Sequence, residues 1–222
     1  MNSRTPFTLR IPLLLLAAVD LAVLAVRLRP WPDIVNLPGE GTTGYDPVIC
    51  LVAYLGLLSW IGGNRNIFIR KALSDGALLG LGAGLLLVAQ VVIATQPAVM
   101  GSTMQLVSIQ IGLLVAAGVL WGIAGMRGSR VAGNPSIGIV AGVWSAMVGA
   151  LMACAAVLAQ INLNNPAPQS QDPWKQYEGL AIGNPATQAL VHSLNTATGF
   201  LLITPLVGGA VGFIFALLAQ DQ

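Results

Sequence analysis

The fold class this sequence predicts is all-α: a polytopic membrane helical bundle of six transmembrane helices. Three observations predict it. Only 8% of the 222 residues are charged and 55% are hydrophobic, with a mean hydropathy of +0.79, whereas a soluble domain carries about 25% charged residues. Apolar runs recur, each near the roughly 17–25 residues needed to cross a bilayer. The chain also holds 26 glycines, many inside those runs at four-residue spacing, which lets membrane helices approach backbone to backbone. Residues 1–222 read as a single integral membrane domain.

The first span is expected at 11–26, preceded by Arg4 and Arg10. A cleaved signal peptide is the rival reading of this segment. Asp20 interrupts the would-be apolar core and no small-x-small site precedes Arg27, so a retained helix is preferred. A linker rich in proline and glycine, with Trp31 suited to the membrane interface, leads to Asp46-Pro47. The second span follows at 47–63 and stops at Gly62-Gly63-Asn64. A basic loop holds Arg65, Arg70 and Lys71 before the third span, 76–95. Ser102 to Gln105 is a capping-box pattern opening the fourth span, 103–126. Arg127 and Arg130 occupy the next loop, and Asn134-Pro135 starts the fifth span, 135–160. The polar loop 161–183 contains a short interfacial helix expected at 172–179. Asn184-Pro185 then opens the last helix, with its span at 196–219, and this segment reads as the one around which the chain is organised. Pro205 within it removes the hydrogen bond to the Leu201 carbonyl and bends the helix.

Arginine and lysine orient these spans. With the N-terminus inside, seven basic residues are cytoplasmic and three (Arg27, Arg29, Lys175) are outside, in agreement with the positive-inside rule. Both termini are expected in the cytoplasm, in the cell membrane, which is the inner membrane in a bacterium. A net charge of +2 and the lack of any basic run exclude a nucleic-acid partner. Cys50 and Cys154 both sit in apolar runs, so no disulfide framework and no metal site is expected. No phosphate loop, dinucleotide fingerprint or metalloprotease motif is present, and no cofactor is expected. A Ser136–His192 dyad is excluded because the topology puts the two on opposite sides of the membrane. The chain is expected not to be an enzyme.

A division runs along the helices. Small-residue motifs fill the inner halves: Gly76-xxx-Gly80-xxx-Gly84, Gly118-xxx-Gly122, Gly138-xxx-Gly142-xxx-Ala146 and Gly208-xxx-Gly212. Uncharged polar residues occupy the outer halves: Gln90, Gln105, Ser108, Gln110, Gln160, His192, Asn195 and Thr196. Lipid cannot satisfy such groups, so they turn to partners or to a water-filled cavity. The expected arrangement is a four-helix unit sealed inside and open outside as a polar cup. His192, Asn195, Gln90 and Gln160 are its candidate ligand-binding residues. Asp20, the one acid within a span, is the candidate proton-coupling residue. A weak internal duplication relates the third and fourth helices to the fifth and sixth in parallel: LLVAQ at 86–90 aligns with AVLAQ at 156–160, and Gly112 with Gly199.

Two functions fit this pattern. One is a small permease or channel-like protein that binds a small polar solute in the outward-facing cup. The alternative is a non-catalytic structural subunit or scaffold of a larger membrane complex. The partners expected are the lipid bilayer and, through the glycine-rich faces, a second copy or other chains of a complex.

Overall fold

The structure, a computed structural model, describes residues 10–29, 45–61, 67–94, 103–163 and 185–219. Six helices account for nearly all of them: α1 (Arg10–Leu28), α2 (Asp46–Ile61), α3 (Ile67–Ala94), α4 (Thr103–Ala132), α5 (Pro135–Leu163) and α6 (Pro185–Leu218). The expected interfacial helix at 172–179 lies outside the described residues.

Helices α3 to α6 contain apolar stretches of 27, 29, 27 and 29 residues, long enough to cross a membrane. The apolar stretches of α1 and α2, Ile11–Val26 and Asp46–Trp60, are shorter than a typical span. Several helices extend past their expected ends. α3 starts at Ile67 instead of 76 because no proline or glycine separates Arg70 and Lys71 from the apolar run, so the basic loop winds into helix. α4 carries Arg127 and Arg130 in its last turns, where cations face the negative end of the helix dipole. The α4–α5 turn is short. Gly133 takes a left-handed φ of 62° that a side chain would disfavour, and the Asn134 Oδ1 accepts the Ser136 N–H at 2.9 Å as the cap of α5.

The centre of the bundle is α5, not α6. Of an 18-residue apolar stretch within it 72% is buried, against 33% for such stretches in α3 and α6 and 17% in α4. Small residues ring this helix on every side: Gly138, Ala141, Gly142, Ser145, Ala146, Gly149, Ala150 and Ala153. Neighbours therefore approach it from several directions, and α1, α3, α4 and α6 all pack on it. The glycines of α6 serve its seam with α5, and Gly212 also meets α4.

That close approach is measurable at individual glycines. A methyl group built on Gly80 of α3 would fall 2.5 Å from the Ser145 carbonyl oxygen of α5. One on Gly142 would fall 2.6 Å from the Gly208 carbonyl of α6, and one on Gly138 would fall 2.6 Å from the Gly125 carbonyl of α4. Gly125 in turn meets the backbone of Gly212. Three helices thus touch backbone to backbone at the end of the bundle that holds the α4–α5 turn. Gly118, expected to share in this packing, has nothing within 4 Å of an added methyl; Gly122, Gly125 and Gly128 carry the α4 contacts instead. Their spacing of three follows the face turned to α5 and α6.

At the other end α4 diverges. Most of residues 104–115 are exposed, and Gly112 and Gly199 face open space. The contacts show α3 parallel to α5, and α4 parallel to α6, as a parallel repeat requires. The offset that separates Gly112 from Gly199 also separates Gly125 from Gly212, so corresponding residues of α4 and α6 stand side by side.

The α1–α2 pair sits beside this four-helix unit, α1 against α5 and α2 against α6. Pro205 leaves the Leu201 carbonyl without its helical donor, and the Tyr54 hydroxyl of α2 donates to that oxygen at 2.7 Å. A neighbouring side chain thereby satisfies the group that proline freed, which is how membrane helices tolerate internal prolines. The outer surface is apolar, with Leu78 and Leu85 on α3 and Leu202, Ile203 and Leu206 on α6 all exposed. A soluble monomer does not present apolar area of this extent.

Candidate functional site

The α3–α5 seam brings two of the four candidate ligand-binding residues together. Both helices rise in the same direction, and LLVAQ of α3 reaches the level of AVLAQ of α5. Gln160 Nε2 donates to the Val91 carbonyl at 3.3 Å, one residue beyond Gln90. The Gln90 Oε1 is buried and has no hydrogen-bond partner. A buried amide oxygen without a donor is costly, so it marks a place where a donor is wanted. Gln110 of α4 is half-buried and shares a helix face with Leu106, Leu113 and the buried Ala117, Trp121 and Ala124. It therefore stands on the inward face of the diverging half of α4. Gln110 belongs to the outer polar set, and its three-and-four spacing from Leu106 and Leu113 is the signal that singles it out.

His192 and Asn195 are not brought to these amides. Both are exposed, on the face of α6 away from its buried stripe of Leu190, Val191, Leu194, Ala197 and Leu201. Their face continues into the exposed Leu202, Ile203 and Leu206. The reason is helical phase: the apolar stripe docks on α5 and α2, and residues offset from it by half a turn point outward. Thr196 turns back along its own helix, its hydroxyl donating to the His192 carbonyl at 2.9 Å.

Asp20 occupies a different place again. It is only 3% exposed, on the α1 stripe Leu13–Ala17–Asp20–Leu24, and its Oδ2 is buried without a partner. The free, buried thiol of Cys154 on α5 lies within electrostatic range of Asp20, and the free, buried thiol of Cys50 on α2 lies within range of Cys154. Tyr54 lies within the same range of both cysteines. Sequence reasoning missed Tyr54, because only packing puts it opposite the carbonyl that Pro205 frees. Among the described residues no three His, Cys, Asp or Glu side chains gather as a ligand set for a metal ion.

Length, apolarity and the lipid-facing surface define a membrane-embedded, multi-pass helical protein. Comparison with family models, curated proteins and solved structures returns no match to this chain. Its function therefore rests on the arrangement of its own residues.

Proposed function

We propose that this chain is a small permease or channel-like protein, without catalytic activity, that binds a small polar solute at the open end of the four-helix unit. The observation that carries this reading is the buried, partnerless Gln90 Oε1, beside Gln160 and below the diverging half of α4 with Gln110. Amides offer both donors and acceptors without charge, so an uncharged solute bearing hydroxyl or amide groups is the class they fit. The glycine seams close the opposite end and form the barrier that alternating access or gating must open. In this proposal the closed end and both termini are cytoplasmic, as the arginine and lysine distribution requires. His192 and Asn195 have no part in holding the solute; they anchor α6 at the membrane interface.

Proteoliposomes test this directly. Wild-type vesicles challenged with glycerol or urea gradients should reswell faster than protein-free vesicles, as read by light scattering. Gln90→Leu and Gln160→Leu should each cut that rate about tenfold, while His192→Ala leaves it unchanged. Equal rates with and without protein for every uncharged solute tried sink the proposal.

The alternative, a structural subunit of a membrane complex, is favoured by α4, in which only 17% of an 18-residue apolar stretch is buried. A helix bare along its outer half suits a neighbouring chain. Purification in mild detergent discriminates: a stoichiometric second polypeptide, together with silent proteoliposomes, establishes the subunit role.

A further inference from the structure

We propose that Asp20 is a proton-binding site whose occupancy decides whether the α1–α2 pair stays docked on the four-helix unit. The proposal adds a control element to the permeation reading but does not depend on it. Its first support is position. Asp20 lies in the middle of the one stripe that α1 buries, between Ala17 and Leu24, and is 3% exposed. Its Oδ2 has no hydrogen-bond partner. An unpaired carboxylate in such a place is very costly, whereas the protonated acid is neutral and pays only for its hydrogen bonds.

The surroundings offer no other way to neutralise it. Within electrostatic range of Asp20 stands Cys154 of α5, and Cys50 and Tyr54 of α2 stand in turn within range of Cys154; all three are uncharged in their protonated forms. Asp46 opens α2 at its far end, a like charge rather than a partner. α6, which packs on α2, directs its histidine away on the opposite face. The described cations Arg29, Arg70, Lys71, Arg127 and Arg130 stand at or beyond helix ends, and the arginines of α1 itself, Arg10 and Arg27, fall in its first and last turns. No described trio of ligands could hold a metal ion in place of the proton.

The second support is how lightly the pair is held. α1 and α2 are the two shortest helices, and the Tyr54 hydroxyl of α2 reaches across to the Leu201 carbonyl of α6. Loss of the proton from Asp20 puts a charge into the α1–α5 interface and drives α1 toward water. Tyr54 is then withdrawn, and the carbonyl that Pro205 leaves free loses its donor just where α6 is weakest. A proton bound on one helix is thereby read as a change at the bend of another.

Cys50 and Cys154 report on this docking without further engineering, being the free thiols buried in the same junction. Their modification by N-ethylmaleimide in proteoliposomes is followed as pH is raised, in wild type and in Asp20→Asn. Both chains share the same thiol chemistry, so the difference between them isolates Asp20. Wild type should become at least about tenfold more reactive than Asp20→Asn at high pH, and the two should agree at low pH. Asp20→Glu should restore the pH dependence. Infrared spectra should show a protonated-carboxyl band in wild type at low pH that Asp20→Asn lacks. Equal thiol reactivity at all pH values overturns the proposal, as does an Asp20→Asn chain that is reactive throughout. Should Asp20→Asn not fold, Asp20→Leu supplies the same neutral comparison. Solute flux that fails while this pH difference persists removes the permeation reading and leaves the proton site standing.

Discussion

At the scale of single residues, Tyr54 and Pro205 form one unit although they are far apart in sequence. The hydroxyl donates to Leu201 at 2.7 Å, and the carbonyl is available only because residue 205 has no N–H. Tyr54→Phe should therefore destabilise the folded protein by about 1–3 kcal/mol, the cost of stranding a buried carbonyl. Pro205→Ala restores a helical donor to Leu201, so the Tyr54→Phe penalty should shrink markedly in that background. Reversible unfolding in mixed micelles of mild and denaturing detergent gives all four corners of the cycle. Additive effects would show that the bond carries no coupling energy.

Helices fix the next scale, and here the glycines divide into two kinds. Gly142 sits where an added methyl meets the Gly208 carbonyl at 2.6 Å, while Gly118 and Gly112 have nothing within reach. Gly142→Leu should separate α5 from α6 and prevent recovery of folded protein, and Gly80→Leu should do the same for α3 and α5. Gly118→Ala and Gly112→Ala should be neutral, or stabilising by up to about 1 kcal/mol from helix propensity alone. Thermal midpoints in one detergent compare the four variants. A destabilised Gly118→Ala would mean that a neighbouring helix closes on the middle of α4 at this position.

For the whole molecule, the testable statement is orientation. Ser136 is exposed in the first turn of α5, beside the α4–α5 turn, and Gln169 falls in the sequence between α5 and α6. In a cysteine-free background, an impermeant maleimide added outside intact cells should label Gln169→Cys and spare Ser136→Cys. The reverse pattern would place both termini outside. The same molecule-wide view explains why the α1–α2 pair is held less tightly than the four-helix unit beside it. Lipid removes the hydrophobic force between helices, so contacts are won by close backbone approach, and α1 and α2 lack the glycines for it.

The sequence by itself determined the class and most of the elements. Apolar run length, Asn134-Pro135 as a helix start and the glycine spacings of α3, α5 and α6 are local signals, and the helices begin or pack where those signals stand. What only the tertiary structure decided is which face of each helix meets which neighbour. The first half of α6 sets an apolar stripe (Leu190, Leu194, Ala197, Leu201) against a polar face, but only packing shows that the stripe docks inward and that His192 and Asn195 face away from Gln90 and Gln160. The central place of α5 was hidden for a related reason: small residues all round a helix show that it can be approached, not that it is. Phase is set by packing between helices distant in sequence, and no local pattern in an all-apolar chain encodes it.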